Sequence, residues 1–323
     1  MSPHASIRNV ETLHTRERAD KPSGMRVAAI IPAYNSARFL RQSIDSVLSQ
    51  TCPVAEIIVV DDGSSDNTRE LVLSYGDRVR YYWQENRGVS AARNHGVRQS
   101  SCPWVAFLDA DDWWDANKID LQAAAIERNS DAVLCYTSYA LVSPGDVKLL
   151  FIVSDGASLW PDLRYRNPFA NSSVMMRRDL FLELGGFDEN NLVCQDWDLW
   201  FRAARNRKVT AVEEPVTSIR VVPGSLSRSK TERILRDMKL MIGATLVADL
   251  SGFSRWAWAR RAWSAELYRC AIVERENQTA QALPLVMRSI AAWPSPFFLC
   301  ARFKSLLIYW MRPKSGGPPA ESP

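Results

Sequence analysis

The chain has 323 residues, 46% apolar and 24% charged, a balance that suits a soluble globular protein with one large domain, or a catalytic domain plus an appendage. Its net charge of +4 is too mild to predict nucleic acid as a partner, which demands a concentrated basic face. Six scattered cysteines without a CxxC pair fit buried thiols rather than a disulfide framework. With only three histidines, a histidine-rich metal site is excluded and acid–base chemistry falls to carboxylates.

Residues 1–24 are polar, lack the apolar stretch of a secretory signal and read as a disordered tail holding His4 and His14. Val27 to Ile31 is a short apolar run ending at Pro32, the pattern of a fully buried strand. Asn35 or Ser36 is placed to cap a helix on which Leu40, Ile44, Val47 and Leu48 recur at helical spacing. A second run, Ile57 to Val60, stops at Asp61-Asp62-Gly63, and Ser64-Ser65-Asp66 opens a helix carrying Leu71, Val72 and Tyr75. Arg78 to Trp83 predicts a third strand, Val89 to Val97 a helix and Trp104 to Leu108 a fourth strand. This alternation predicts an α/β fold with a mostly parallel sheet covered on both faces. Ligands bind such sheets beyond the carboxyl ends of the strands, where the polar motifs after Ile31, Val60 and Leu108 fall.

Ala132 to Tyr136 and Val209 to Val212 predict further strands. From Thr231 the pattern is helical only: Ile234, Met238, Met241, Ile242 and Thr245 share one face, and Trp256, Trp263, Leu267, Cys270 and Ala271 another. These patterns divide the chain into a catalytic domain at 25–230, a helical region at 231–312 and a disordered tail at 313–323. No window of about 20 uninterrupted apolar residues spans a bilayer, since Phe297 to Met311 is broken by Arg302 and Lys304; a cytoplasmic location is expected.

Four motifs carry chemistry, each with a plainer structural reading beside it. The carboxylates of Asp61 and Asp62 either accept hydrogen bonds from a nucleoside or belong to a tight turn, with Gly63 allowing the bend and Ser65 or Asp66 as helix cap. Asp109, Asp111 and Asp112 crowd negative charge at a strand end, which suits Mg²⁺ or Mn²⁺ bridging to phosphates; the alternative, a solvated loop, fits poorly with Trp113 and Trp114 directly after. Arg93 either reaches a diphosphate or is a surface arginine, and His95 reads as structural. Asp196, in Gln195-Asp196-Trp197-Asp198, is a general base or a carboxylate facing the helix dipole, with the turn Gly185-Gly186-Phe187-Asp188 just upstream. Neither a G-x-G-x-x-G after the first strand nor a P-loop is present.

Taken in order over residues 26–230, these motifs resemble the family 2 glycosyltransferases, of inverting, bacterial type. The resemblance implies a GT-A fold: a mixed, mostly parallel sheet flanked by helices, here with a C-terminal helical appendage. Pro32-Ala33-Tyr34-Asn35, Asp61 to Asp66, Asn86 to Asn94 and Asp109-Ala110-Asp111-Asp112 look like the nucleotide-sugar half; Asn171-Ser172-Ser173, Gly185 to Asp188 and Gln195 to Asp198 look like the acceptor half. By that match Pro32, Tyr34, Asn35, Asp61 or Asp62, Arg93, Asp109, Ala110 and Asp111 bind the nucleotide sugar, and Asp111 with Asp109 holds the metal. Asp196 matches the catalytic base. Gln195, Trp197, Arg220, Ser225 and Arg228 are further expected contacts to diphosphate or acceptor. The implied reaction is a single displacement onto a hydroxyl of a glycan or lipid-linked acceptor.

The chain departs from the family pattern twice. Gln195 stands where relatives usually carry Glu, which removes a negative charge beside Asp196. Val222 stands where many carry His, which puts metal dependence at issue. The Trp- and Arg-rich stretch Arg255 to Trp263 reads either as a packed helical subdomain or as a peripheral contact with the inner face of the plasma membrane. Two other functions share part of this pattern. A sugar-1-phosphate nucleotidyltransferase calls for a Gly-rich, Arg-containing loop after the first strand, which Pro32 to Asn35 is not. A nucleotide-sugar-binding module without turnover fits the two departures.

Overall fold

The computed structural model describes residues 24–143, 148–153, 163–164, 167–221, 231–276 and 281–292. Val222, Ser225, Arg228, Phe297 to Met311 and both terminal tails lie outside the described residues. The chain divides into two compact units, Met1–Leu250 and Ser251–Pro323.

The first unit is built on strands β1 (Val27–Ala33), β2 (Glu56–Asp61), β3 (Arg80–Trp83), β4 (Trp104–Phe107), β5 (Trp113–Trp114), β6 (Ala132–Val142), β7 (Lys148–Phe151), β8 (Met175–Arg177) and β9 (Lys208–Arg220). They form one sheet in the order β3-β2-β1-β4-β8-β6-β9-β5, with β7 added beside β6. Pairing is parallel from β3 through β4, antiparallel where β8 joins β4 to β6, parallel again from β6 to β9, and antiparallel at β5 and β7. Helices α1 (Ala37–Leu48), α2 (Thr68–Leu73), α3 (Val89–Gln99), α4 (Lys118–Arg128), α5 (Arg178–Glu183), α6 (Gln195–Ala204) and α7 (Thr231–Met241) complete this unit.

Strand β1 is buried along its whole length, which is why its sequence is a continuous apolar run rather than an alternation. It runs through Pro32 to Ala33, two residues beyond the expected end. The carbonyl of Ile30 faces the β4 side, accepting from Leu108 N at 3.0 Å. Pro32, two residues on, faces the same side, where β4 has already ended at Phe107, so its missing N–H leaves no ladder partner unmet. Leu40, Ile44 and Val47 of α1 pack with Ala29, Ile31 and Val59 in the core beneath.

Strands β6 and β9 both run further than the short apolar runs predicted. The pattern on β9 is interrupted by Glu213-Glu214-Pro215, yet pairing resumes after a register shift between Thr137 and Tyr139. Such a bulge is where a strand accommodates proline. The expected capping of α1 by Asn35 or Ser36 is also corrected. Neither caps with its own side chain; the N–H of Ala37 is satisfied from the neighbouring loop by Asp66 Oδ2 at 3.1 Å, and that of Ser36 by Thr68 Oγ1 at 3.0 Å.

The first compact unit extends to Leu250. Helix α7 and the π turn Ile242–Leu246 pack with α6: Thr245 Oγ1 donates to Asp198 at 2.7 Å, and Leu192 N to Asp237 at 3.1 Å. Helical periodicity reports which face is buried, not which unit covers it. In the second unit, α8 (Gly252–Glu276) and α9 (Ala282–Ala292) are clasped by Ser264 and Ser289, each hydroxyl donating to the other's carbonyl, while Arg260 caps the carbonyls of Ala291 and Ala292. Leu267, Cys270 and Ala271 are buried as expected, but Trp256 is 52% exposed. No helix among the described residues is long and apolar enough to cross a membrane.

One charged group sits deep in the first unit. Lys118, at the start of α4, is fully buried, donates to Gln122 Oε1 at 2.6 Å and lies 4.1 Å from the centroid of the Trp114 ring. Burial pushes its amine down to about 7 from an ordinary 10.5. The unfolded chain therefore binds more protons than the folded one between about pH 7 and 10.5. Stability rises with pH across that window, with the full penalty present below 7. Thermal unfolding from pH 6 to 10 is expected to show this rise in the wild type. Lys118→Met should flatten it without lowering the neutral-pH midpoint.

Candidate active site

At the carboxyl edge of the parallel strands, the loops after β1 and β2 knit together. Asn35, held at a φ of +48°, accepts from Ser65 N at 2.8 Å and donates its own N–H to Ser64 Oγ at 2.9 Å. Gly63, at a φ of +79°, makes the bend that sends the chain back toward Asn35. Pro32 is buried at the strand end, whereas Tyr34 stands 53% exposed above it. Both carboxylates of the Asp61-Asp62 pair are buried with protein partners. Asp61 accepts from Ser64 N and the Tyr81 hydroxyl, at 2.8 and 2.7 Å. Asp62 accepts from Gln84 Nε2 and from the backbone N–H groups of Arg87 and Gly88, at 2.7, 2.9 and 2.8 Å. Asp62 thus sets the turn from which α3 starts.

Helix α3 delivers Arg93 and Asn94 to the centre of the sheet edge. Arg93 is buried, bonds Asp109 Oδ1 at 2.6 Å and stacks over the Phe187 ring at 5.2 Å. Asn94 clasps the Gly185–Asp188 turn with two bonds to the Phe187 backbone, both 2.9 Å. Gly186 fits there for two reasons: its φ is +73°, and a Cβ would lie 2.5 Å from Asn94 Oδ1. Phe187 in turn meets Phe107 at the end of β4 and Trp200 on α6, with ring centroids 5.3 and 5.7 Å apart. These rings hold α6 against the strand that carries the acidic turn. His95 bonds Gln84 at 3.0 Å.

The acidic turn divides its carboxylates between two tasks. Asp112 is buried, accepting from Ser172 Oγ at 2.6 Å and Arg220 N at 2.9 Å, so it ties the turn to the helical turn Asn171–Ser173 and to β9. Ser43 of α1 secures the backbone, donating to the carbonyls of Ala110 and Asp112 at 2.8 and 2.6 Å. Asp109 shares its Oδ1 between Arg93 and Asn171 Nδ2. Asp111 is half-buried. Burial and then the Asp109 charge push its carboxyl up to about 6, against the pull of Arg220 and Arg93. Burial, Asp109 and Asp111 likewise push Asp112 upward.

Arg220 flanks this turn, its guanidinium 4.7 Å from Phe39 and 4.8 Å from Trp113, with Nε on the Asp111 carbonyl at 3.0 Å. Asp196, on the first turn of α6, accepts from Asn167 Nδ2 at 3.1 Å and from Trp197 N at 2.7 Å. Burial raises its pKa; among charged groups Arg93 lowers it and Asp109 raises it, so the motifs of the two halves share one electrostatic neighbourhood. Tyr139 of β6 belongs to it as well, pushed up to about 12 by burial and by the Asp196 charge. Trp197 is buried, with its indole N–H committed to Leu163 O at 2.8 Å.

Among the described residues, Arg93 Nε and Nη1, Asn171 Oδ1 and Gln195 Oε1 are buried without a hydrogen-bond partner. Each such atom bears a desolvation cost that a polar ligand or an ordered water removes. No three His, Cys, Asp and Glu side chains among the described residues are placed to hold a metal ion by themselves. The donor set that remains is Asp111 with the second oxygen of Asp109. That fits a hard divalent cation whose other ligands are phosphate oxygens and water.

Asn167, Ser43 and Tyr139 entered the site without a predicted role, and Asn171 and Ser172, which the resemblance put in the acceptor half, bond the acidic turn. Ser43 had a signal, since it is a polar residue on the buried stripe Leu40–Ser43–Ile44–Val47. Asn167 and Tyr139 occupy no periodic pattern that distinguishes them.

Residues 28–162 match the model of glycosyl transferase family 2. The chain is 30% identical over 212 residues to TuaG of Bacillus subtilis, a candidate teichuronic acid biosynthesis glycosyltransferase, covering 63% of this chain and 82% of that protein. It is 28% identical over 224 residues to WfgD of Escherichia coli, a UDP-Glc:alpha-D-GlcNAc-diphosphoundecaprenol beta-1,3-glucosyltransferase, covering 67% and 85%. It spans less of the Rickettsia glycosyltransferases it matches: 64% of one from Rickettsia typhi and 33% of one from Rickettsia conorii, at 35% and 36% identity. The structure of S. aureus TarS 1–349 in complex with UDP-GlcNAc superposes with a TM-score of 0.63 over 82% of this chain and 80% of that one. At 18% identity, that is a likeness of fold.

The two carboxylate tasks separate in stability measurements. Asp112→Ala strands the Ser172 hydroxyl and the Arg220 N–H, and is expected to destabilise by about 2 kcal/mol. Asp111→Ala should leave the unfolding midpoint at neutral pH unchanged or raised, because it relieves repulsion. Equal losses in the two variants would contradict this division.

Proposed function

The chain belongs to glycosyl transferase family 2, and on that footing we propose that it moves a sugar from a nucleoside-diphosphate sugar to an acceptor hydroxyl with inversion. The observation that carries this reading is the convergence of Asp196 with Arg93 and Asp109, groups from separate halves of the chain brought around buried, unpartnered polar atoms. Asp196 is the proposed general base. Asn167 and the Trp197 N–H hold its carboxylate, and Arg93 favours its ionised form. Gln195, which carries no charge, adds no repulsion.

In the proposed step the acceptor oxygen bonds to the anomeric carbon on the face opposite the leaving group. Its proton passes to Asp196, and the bond to the diphosphate breaks with its electron pair going to the diphosphate oxygen. Arg93, with two unused donors, and Arg220 would receive the charge that develops there. Asp111 and Asp109 would hold Mn²⁺ or Mg²⁺, which when bound neutralises the departing diphosphate. Pro32, Tyr34, Asn35 and the Asp61-Asp62 loop would line the nucleoside, with Asp61 and Asp62 acting mainly by shaping the loops.

For the acceptor we propose a glycan or lipid-linked glycan met at the cytoplasmic face of the plasma membrane. Support comes from the first turns of α8, where Phe253 and Trp256 are exposed and Arg255, Arg260 and Arg261 occur with no acidic residue from 251 to 265. Vesicles containing phosphatidylglycerol are expected to co-sediment the protein. Phe253→Ser with Trp256→Ser should abolish this without altering the fold.

The function is tested with a panel of nucleotide sugars, in Mn²⁺ or EDTA, read by thermal shift and by release of nucleoside diphosphate. Asp196→Asn should abolish release while the thermal shift persists; loss of both would make Asp196 structural. In the wild type, the acid limb of turnover should lie above the ordinary carboxylate range, because burial raises the pKa of Asp196 and turnover requires its ionised form. Stabilisation without release across a broad acceptor pool would favour a binding module, and no stabilisation by any nucleotide sugar would sink both.

A further inference from the structure

Lys118 has no part in the reaction proposed above, yet it is a fully buried amine where an apolar side chain of the same length would be cheaper. Its surroundings connect it to the site by an unbroken set of contacts. The ammonium donates to Gln122 Oε1 and faces the Trp114 ring. The Gln122 amide then donates to the carbonyls of Ser173 and Cys135, at 3.0 and 3.1 Å, and the Trp114 indole donates to the carbonyl of Ser172 at 2.8 Å. Both routes end on the turn Asn171–Ser173.

That turn governs the acidic site from its other side. Asn171 Nδ2 holds Asp109 Oδ1, and Ser172 Oγ accepts from Asp109 N at 3.0 Å while donating to Asp112. Two carbonyls of the turn therefore face the lysine cluster, and its side chains face the carboxylates. The donating amine polarises the Gln122 carbonyl and, by cooperativity along the chain, strengthens the bonds its amide donates. It also fixes which way the amide points, since only Oε1 can accept from Nζ. The ring contact restrains Trp114, whose neighbour Trp113 is one face of the Arg220 sandwich.

We propose that Lys118 is a positioning residue for the nucleotide-sugar site, acting through Gln122 and Trp114 to hold the turn Asn171–Ser173 against Asp109 and Asp112. This rests on reading Asp109 as part of that site. The role predicts an effect on ligand affinity that is larger than its effect on the chemical step.

The test uses the full chain carrying Lys118→Met, the milder Trp114→Phe, and both together. The probe is whichever of UDP, GDP and dTDP, with Mn²⁺, most stabilises the wild type. Each single variant is expected to weaken that binding and raise the donor KM by roughly tenfold, with kcat changed less than about twofold. The double variant should lose little more than either single one, since both act on one element. Hydrogen exchange should quicken over residues 171–174 and stay unchanged in β1 and β2. Wild-type affinity and unaltered protection in both single variants would overturn the proposal, as would exchange quickened throughout the unit. If the wild type binds none of the three diphosphates, the nucleotide-site reading fails; protection over 171–174 still decides what Lys118 positions.

Discussion

The constraint on which this site depends is the crowding of negative charge at the end of β4. Asp109, Asp111 and Asp112 lie within four residues, and Asp196 feels the first of them from helix α6. In a partly dehydrated setting these carboxylates repel one another and resist ionisation. The chain sets two arginines against them from two separate elements: Arg93 from α3, buried on Phe187, and Arg220 from the end of β9, between Phe39 and Trp113. Asp112, pushed upward by the same crowd, is held by Ser172 and the Arg220 backbone N–H. Asp111 keeps an elevated pKa of about 6, the mark of its burial and of the Asp109 charge beside it.

The mixed sheet is what brings these groups together. In the parallel half, the strand ends of β1, β2 and β4 lie side by side, so their polar loops share one edge. The antiparallel insertion of β8 between β4 and β6 then places the turn Asn171–Ser173 directly beside the acidic turn. Strand β9, parallel to β6 and bulged at Glu213–Val216, ends with Arg220 on the backbone of Asp111 and on the Asp112 carboxylate. The ring cluster of Phe107, Phe181, Phe187 and Trp200 sets α6 against this edge, and with it Asp196.

Substantial parts of this were legible in the residues alone. Fully buried strands need continuous apolar runs, so β1, β2 and β4 stood out, and the polar motifs at their ends fell where an α/β sheet binds ligands. Strands β5, β7 and β8 and helices α4 and α5 did not stand out. They span from two to eleven residues, and most of their buried faces are completed by residues far away in the chain. The length of β9 was hidden by Glu213-Glu214-Pro215, a segment that looks like a strand terminus until a bulge is allowed for.

The residues by themselves determined the chemistry on offer: carboxylates rather than histidines, acidic turns at strand ends, and arginine as the main counter-charge. Local spacing also settled the elements that carry them, because backbone periodicity depends on near neighbours in the chain. Which carboxylate is structural was decided only by folding. Asp61, Asp62 and Asp112 take protein donors from residues 3 to 108 positions away, whereas the Asp111 carboxylate is bonded by its own backbone N–H. The raised pKa values, the burial of Lys118 and the unpartnered donors of Arg93 have the same origin. Dehydration and charge proximity are properties of a place in space, and no stretch of sequence encodes them by itself.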